Sequence, residues 1–370
     1  MKLILQLKTI LGQLKQSSFN KHLLSSKPVA VLMYSAIGLV LISCSSSNVD
    51  NDNNTSSVQT QKNPNDSNHL SSNSNRSSDL NNLDQSDTVS NDLNVVSPDW
   101  GVAATLIAMG QPPIATGDNR VWDQWVSDPK LPSSVHDLGI RYLPNAELAA
   151  QLPVDLIIDN FFYEHSRGIY GDVPAQTIMF AGKGDTAKWE DYVESTHQLG
   201  KIINKPQQAN HYINESHQQI VDAGKQFQKR FPNVKKFAVI QFVDDNNMRM
   251  YSNNSLFNVV FNKMDLQLVA LGKGNNWGFV PIQMGDLTQL DSDVCLLVIK
   301  PLNTLTQKQV QDSLVWQRLG YGADTNAMGD SRCMAVLPPV WIYGGMASLT
   351  SLANNLAAAN LVGGPANVSK

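Results

Sequence analysis

The sequence contains few of the signatures that identify enzymes. It has no Gly-rich loop of the length that holds a nucleotide phosphate, since Gly182-Lys183-Gly184 and Gly272-Lys273-Gly274 are both too short. It has no Gly-x-Ser-x-Gly nucleophile motif. Its histidines are scattered, and no pair has a spacing typical of a metal site. We therefore expect no catalytic residues, no resident metal and no cofactor.

Charged residues and cysteines are also scarce. Charged side chains make up 16% of the chain and the net charge is -4, which gives no support to a nucleic-acid partner. Of the three cysteines, Cys295 and Cys333 lie in apolar runs that are typical of strands. We expect both to be buried free thiols. A disulfide between neighbouring strands is the alternative, which an oxidising compartment would permit.

The N-terminus has the pattern of an export signal. Five lysines precede an apolar run of 15 residues, 28–42, which is short for a membrane-spanning helix. The run ends at Leu41-Ile42-Ser43-Cys44, which resembles the processing box of bacterial lipoproteins. This resemblance implies that residues 1–44 form a lipoprotein signal peptide and that Cys44 is lipidated. An uncleaved anchor is the alternative.

Residues 45–92 have the composition of a disordered tether. The segment is dominated by Ser, Asn and Asp and has no aromatic residue before Asp92. Such a segment cannot bury enough apolar surface to offset the entropy of the chain. We expect the folded part to begin near residue 93.

The stretch from Pro206 to Phe231 predicts one long helix. It begins with a proline at a helix-start position and contains no other proline until Pro232. Apolar and small residues recur every three or four positions, which places them on one face. A helix of this length spans roughly 40 Å, more than one small lobe needs. We interpret it as a connection between two lobes, with a long surface helix as the alternative.

Predicted strands and helices alternate on both sides of this helix, which is typical of parallel α/β sheets. The sequence therefore predicts two α/β lobes with mainly parallel sheets, joined by one long helix. The predicted boundaries are 93–205 for the first lobe, 206–231 for the helix and 232–370 for the second lobe.

Aromatic residues follow many of the predicted strands. In parallel α/β lobes the loops beyond the carboxyl ends of the strands face the ligand. Aromatic walls with a few fixed polar groups are typical of a cleft for a sizeable ligand. We expect about half of these aromatics to pack in the core instead, Trp122 among them.

Several segments resemble iron(III)-hydroxamate siderophore-binding proteins, the substrate-binding components of ABC importers. The segments are Trp125-Val126-Ser127-Asp128-Pro129-Lys130-Leu131-Pro132, Asp137-Leu138-Gly139-Ile140-Arg141, Pro144-Asn145-Ala146-Glu147-Leu148, Asn254-Ser255-Leu256-Phe257, Asn275-Asn276-Trp277-Gly278 and Val340-Trp341-Ile342-Tyr343-Gly344. They occur in order over about residues 93–362. The fold that the resemblance implies is two α/β lobes bridged by one long helix. Such a connection is stiff, so we expect little closure on binding.

The resemblance also implies roles for particular residues. Arg141 and Tyr163 would hydrogen-bond the iron-bound hydroxamate oxygens, which suits a guanidinium fork because those oxygens carry partial negative charge. Arg141 is expected on a loop at the cleft rim. The residues implied as walls of the pocket are Trp125, Asn275, Trp277 and Trp341. Phe279 departs from the family, which often has a small hydroxylated residue there.

The implied partners are a ferric hydroxamate siderophore, an ABC permease with its ATPase, and a membrane through lipidated Cys44. Glu147 and Asp286 match the acids, one in each lobe, that engage the permease in this fold group. Their alternative interpretation is that of favourable acids in a first helical turn. We expect a monomer, anchored at the periplasmic side or the outer cell surface, with iron present only inside the bound siderophore.

Other functions stay open. The same fold could bind haem, a corrinoid or a catecholate siderophore. Tyr163 could ligate haem iron, whereas a catecholate complex would favour several basic residues. From other classes, the protein could be an envelope hydrolase or a structural lipoprotein.

Overall fold

A computed structural model describes residues 93–301, 304–321 and 332–363 of the chain. The predicted signal peptide (1–44), the lipidation site Cys44 and the predicted tether (45–92) lie outside the described residues. Within the described ranges, no helix is both long enough and apolar enough to cross a membrane.

The described part of the chain alternates strands and helices. The strands are β1 Val95–Val96, β2 Ala115–Thr116, β3 His136–Asp137, β4 Gly139–Ile140, β5 Leu143–Pro144, β6 Leu156–Asp159, β7 Ala175–Thr177, β8 Lys236–Phe242, β9 Asn247–Tyr251, β10 Gln267–Leu268, β11 Phe279–Gln283, β12 Val294–Ile299 and β13 Met334–Leu337. The α-helices are α1 Trp100–Ala108, α2 Trp122–Trp125, α3 Ala146–Ala149, α4 Trp189–Ile202, α5 Pro206–Arg230, α6 Leu256–Lys263, α7 Thr304–Asp312, α8 Leu314–Leu319 and α9 Met346–Ala357.

The first sheet is entirely parallel. Its strand order is β3-β2-β1-β6-β7, and every neighbouring pair runs in the same direction. Helix α1 follows β1 directly, and the side chain of Asp99 caps it by accepting a hydrogen bond from the Val102 backbone at 2.8 Å. The predicted parallel α/β class is confirmed for this lobe.

The second sheet is mixed. Strands β10, β8, β12 and β13 are parallel, whereas β9 is antiparallel to β8 and β11 is antiparallel to β9. The sequence analysis did not predict β9 or β11. Strand β9 reads Asn-Met-Arg-Met-Tyr, and its polar positions and lack of β-branched residues hide it from a search by propensity. The lobe is still mainly parallel, as predicted.

The predicted long helix is confirmed as α5. Pro206 is its first residue, and its buried face consists of Ala209, Ile213, Ser216, Ile220, Ala223, Gly224 and Phe227. The other face is polar, and α4, α6 and α9 pack against the apolar side. The first sheet is built from residues that precede this helix and the second from residues that follow it.

The helix is not the only connection between the lobes. One hydrophobic cluster contains Leu106 and Phe180 from the first lobe together with Phe237 and Phe257 from the second. At Gly345, a Cβ atom would lie 2.5 Å from the Thr105 hydroxyl and 2.8 Å from the Phe180 ring. Glycine is therefore required where the start of α9 meets the first lobe.

The expectation of two free thiols is wrong. Cys295 and Cys333 form a disulfide, and their Cα atoms are 4.5 Å apart. Strands β12 and β13 are parallel neighbours, and the pairing of Leu296 with Met334 places the preceding cysteines opposite each other. The two residues are 38 positions apart in sequence. Nothing in the sequence pattern alone assigned the two strands as neighbours.

We predict that this disulfide stabilises the second lobe substantially. A crosslink between residues 38 positions apart lowers the entropy of the unfolded chain. This raises the free energy of unfolding by about 4 kcal/mol. The variant Cys295→Ala/Cys333→Ala should lose stability of this order in urea denaturation. A reductant should lower the stability of the wild type and leave the double variant unchanged. Equal stability of wild type and variant would contradict the prediction.

Candidate ligand-binding site

A cavity of about 750 Å³ lies between the two lobes. Its lining is mostly aromatic and small, with a few polar groups. A broader depression of about 860 Å³ lies on the surface of α4 and α5, but its walls are helix side chains such as Glu190, Glu194 and Lys201. We take the cavity between the lobes as the candidate site because aromatic walls and buried polar groups converge only there among the described residues.

The first lobe contributes the carboxyl ends of its parallel strands. Asp99 follows β1 and Asn160 follows β6, and both line the cavity. Asn160 donates a hydrogen bond from its amide to the Asp99 carboxylate. The Asn160 oxygen accepts from the backbone N–H of Phe162 at 2.9 Å, which orients the aromatic segment that follows. The candidate cavity therefore lies at the carboxyl ends of the strands in this lobe, where ligand-facing loops are expected.

Arg141 is buried beneath the cavity and does not lie at its rim. It stands in the turn of the β4–β5 hairpin, yet it is only 8% exposed. Its guanidinium lies 3.6 Å from the centre of the Trp100 ring. The carboxylate of Asp118 accepts from its Nε at 3.2 Å, and the Tyr163 hydroxyl accepts from Nη1 at 3.0 Å. Arg141 thus stands on a loop as expected, but its side chain is buried and not at the rim, because Asp118, which follows β2, accepts from its Nε.

Tyr163 connects Arg141 to the cavity. Its ring is buried yet lines the cavity, and it stacks on Tyr142 at 5.2 Å between ring centres. Burial raises the pKa of the Tyr163 hydroxyl, while the charge of Arg141 opposes this. The hydroxyl therefore keeps its proton. Since its oxygen accepts from Arg141, that proton can be donated to a group in the cavity.

The aromatic walls come from both lobes. Trp277 is 43% exposed and stacks on Phe162 of the first lobe, with 5.2 Å between the ring centres. Trp341 also lines the cavity and makes an edge contact with Tyr343. The placement of Trp277 and Trp341 in the predicted cleft agrees with the sequence analysis. Trp122, expected in the core, is 1% exposed.

Trp125 and Asn275 support the walls from behind. The Trp125 ring packs edge-on against Trp341 at 6.4 Å and is not among the lining residues. The Asn275 side chain accepts hydrogen bonds from the backbone of Trp277 at 2.9 Å and of Phe279 at 3.4 Å. It thus fixes the turn that presents Trp277, while its neighbour Asn276 lines the cavity.

Phe279, where the sequence departs from the family pattern, does not shape the cavity directly. It lies on β11 and packs edge-on against Tyr251 at 6.4 Å. The guanidinium of Arg249 lies 5.2 Å from the centre of its ring. The bulkier side chain therefore packs within the second lobe, against Tyr251 and Arg249.

The two acids matched to permease docking differ in their surroundings. Glu147 is exposed in the first turn of α3, a helix capped by Asn145. Asp286 is half-buried and accepts a hydrogen bond from the Gln283 backbone at 2.8 Å, as a capping acid does. Both acids thus stand in a first helical turn, as the alternative interpretation has it, and the docking role of both stays a prediction.

Sequence reasoning missed two features of the site. Asp99 precedes an apolar helical stretch, which signals a helix start, but nothing in that pattern places its carboxylate in a cavity. The two Gly-Lys-Gly segments, which are too short to hold a nucleotide phosphate, both contribute residues to the lining of the cavity. Lys273 of the second segment forms an ion pair with Asp185, which follows the first, at 2.8 Å.

Burial controls the charge of Asp99. It raises the pKa of the Asp99 carboxyl to about 6, although hydrogen bonds from the Val102 and Gly101 backbone and the charge of Arg141 oppose the shift. The carboxylate is thus ionised at neutral pH. Elsewhere in the described residues, no three His, Cys, Asp or Glu side chains cluster closely enough to hold a metal ion.

Comparison with known proteins identifies relatives of this architecture. Residues 95–320 match a protein-family model described as periplasmic binding protein. The chain is 24% identical over 274 residues to the iron(3+)-hydroxamate-binding protein FhuD of Escherichia coli K12. The aligned region covers 74% of this chain and 88% of that protein.

Two solved structures share the fold. One is the siderophore-binding protein FhuD of Vibrio cholerae with Fe³⁺-Desferal bound, with a TM-score of 0.63, 22% identity, and coverage of 72% of this chain and 97% of that one. The other is FhuD2 of Staphylococcus aureus with ferrioxamine B, with a TM-score of 0.52, 16% identity and the same coverage. The resemblance found in the sequence is thereby confirmed.

The raised pKa of Asp99 predicts a pH-dependent stability. Its ordinary pKa is 3.8 and its value in the folded protein is about 6. Between these values the folded protein keeps a proton that the unfolded chain has lost, so stability falls as pH rises through this window. Asp99→Asn removes this dependence. The free energy of unfolding of the variant, relative to wild type, should rise by on the order of 3 kcal/mol between about pH 4 and pH 7.

Urea denaturation of both proteins at intervals across this range measures the difference. A constant offset between the two would reflect lost contacts with Asn160 and does not enter the comparison. A difference that stays flat with pH would contradict the assignment of a raised pKa to Asp99.

Proposed function

The chain belongs to the periplasmic binding protein family, and on that premise we propose that it captures a ferric hydroxamate siderophore and delivers it to an ABC importer. Members of this family are substrate-binding transport proteins. An enzymatic role, such as that of an envelope hydrolase, is therefore set aside.

The observation that carries the proposal is the buried Arg141–Tyr163 pair at the floor of an aromatic cavity. Hydroxamate oxygens bound to iron carry partial negative charge and accept hydrogen bonds. Tyr163 accepts from Arg141 at 3.0 Å and so has its own proton available for such an oxygen. A cavity of about 750 Å³ lies within the range typical of small-molecule sites.

The relatives support the same ligand class. The Escherichia coli relative is named for binding iron(3+)-hydroxamate, and the Vibrio cholerae and Staphylococcus aureus structures contain ferric hydroxamate complexes. Each shares less than a quarter of its residues with this chain, so the ligand is a proposal for this protein.

The alternative ligands fit the cavity less well. A catecholate complex is strongly anionic and would need several free cations, but Lys273 at the rim is paired with Asp185. Haem would use Tyr163 as an iron ligand, but that hydroxyl is held by Arg141 and its pKa is raised by burial. Neither a catecholate nor haem therefore matches the lining as well as a hydroxamate. No feature of the cavity favours a corrinoid.

The mode of delivery extends the proposal. Lipidated Cys44 would hold the protein at the periplasmic side or the outer cell surface, and residues 45–92 would serve as its tether. Glu147 and Asp286, one on each lobe, would contact the permease, which works with its ATPase. The receptor would act as a monomer, with iron present only inside the siderophore.

We predict that ferrioxamine B and ferrichrome quench the intrinsic tryptophan fluorescence of the protein, whereas haem and cobalamin do so only at far higher concentration. Tyr163→Phe removes the hydroxyl that we propose as the donor to the ligand. Since hydrogen bonds to charged groups contribute about 1.5–3 kcal/mol, the affinity should fall at least tenfold. Arg141→Lys should also weaken binding, because an ammonium cannot serve Asp118 and Tyr163 with the same geometry.

The matched control is Arg120→Ala. Arg120 forms an ion pair with the same Asp118 at 3.4 Å, but its side chain is 64% exposed. This variant should bind as wild type does. Circular dichroism would establish that each variant is folded. Unchanged affinity in both Tyr163→Phe and Arg141→Lys would remove the main support for hydroxamate recognition.

The lipid anchor is tested separately. Cys44→Ala should release the protein from the membrane fraction of cells or block its maturation, because no other residue of the processing box can be lipidated. Deletion of residues 47–90 should leave siderophore affinity unchanged. A tenfold loss of affinity on this deletion would show that the segment belongs to the binding fold.

A further inference from the structure

One guanidinium lies near two carboxylates beneath the cavity. Asp118 pairs with Arg141 at 3.2 Å, and the charge of Arg141 also acts on Asp99 through space. Asp118 also meets Arg120, but that side chain is largely in solvent, where its charge is screened. The buried Asp99 and Arg141, taken with the half-buried Asp118, therefore have an excess of one negative charge.

Among the described residues that line the cavity, no unpaired cation offsets this excess. At the rim, Lys273 and Asp185 cancel each other. Arg167, in the segment after β6, is occupied by Asp159, to which its Nε donates at 2.9 Å. Arg249 lies over the Phe279 ring in the second lobe, outside the lining, and its charge acts on the lining residues Tyr251 and Tyr343 of that lobe. The floor is thus negative although it contains the arginine proposed to anchor the ligand.

We infer that Asp99 gives the cavity a preference for ferric hydroxamate complexes that carry a positive charge over those that carry a negative one. The inference rests on the proposed function and adds a selectivity that Arg141 and Tyr163 do not supply. Those two groups recognise the iron centre, which is the same in all trishydroxamates. Asp99 would distinguish siderophores by the charge of the groups attached to the iron centre.

The placement of Asp99 makes this effect substantial. Its carboxylate is 5% exposed, lines the cavity and is fixed by the Val102 backbone and by Asn160. A fixed charge in a poorly solvated position acts over several ångströms with little screening, so direct contact is unnecessary. With a pKa of about 6, the group is ionised at pH 7.5.

The test uses three forms of one siderophore that differ in net charge. Ferrioxamine B has a terminal ammonium and one positive charge, its N-acetyl derivative is neutral, and its N-succinyl derivative has one negative charge. The iron centre and the chain are otherwise the same. For wild type at pH 7.5, we expect affinity to decrease in that order, with about tenfold between the cation and the anion. In Asp99→Asn the three affinities should converge.

A charge-swapped variant serves as the matched control. Asp99→Asn/Asn160→Asp moves the carboxylate to the neighbouring residue and keeps the hydrogen bond between the two side chains. Residue 99 still caps α1, and residue 160 still accepts from the Phe162 backbone. This variant should recover the preference for the cation. A merely structural role of Asp99 would weaken all three ligands equally and would leave their ratio unchanged.

The outcomes separate this inference from the proposed function. If wild type binds all three complexes with equal affinity, or if Asp99→Asn keeps the wild-type ratio, the charge selectivity is wrong and hydroxamate binding stands. If folded wild type binds none of the three, the proposed function fails and the inference fails with it.

Discussion

The structure of the site depends on the burial of a single cation, the guanidinium of Arg141. Trp100 lies against one face of it, Asp118 accepts from its Nε, and Tyr163 accepts from its Nη1. A buried charge is tolerated only when it is paired and hydrogen-bonded. Each of these partners stands at the end of a strand or the start of a helix in the first lobe. The parallel sheet therefore positions the floor of the cavity through the partners that this one side chain requires.

The second lobe supplies walls instead of charge. Two of its lining segments follow β9 and precede β11, an antiparallel pair at the edge of an otherwise parallel sheet, and a third, 341–343, follows β13. Asn275 organises the turn between them by accepting from the backbone of Trp277. The cavity thus combines buried polar groups from the first lobe with aromatic side chains from both lobes. A residue such as Asn275 affects binding through the ring it positions.

The sequence predicted the features that local patterns encode. The long helix follows from apolar spacing and Pro206, and the α/β class follows from the alternation of elements. The aromatic cleft followed from Trp277 and Trp341 near strand ends. The features it did not predict depend on contacts between distant segments. Asp118 draws Arg141 inward from 23 positions away, and the disulfide needs β12 beside β13. The carboxylate of Asp99 enters the cavity only because α1 starts at its edge.

The tight contact at Gly345 has a consequence for how ligands exchange. Because the start of α9 meets Thr105 and Phe180 with no room for a methyl group, we expect the two walls of the cavity to keep their separation when a ligand binds. A cavity that is already formed loses little conformational entropy when it is filled. Entry then requires desolvation of the aromatic surfaces but no rearrangement of the lobes. Siderophores of the same charge but different shape would enter at similar rates, and their residence times would determine which of them the protein retains.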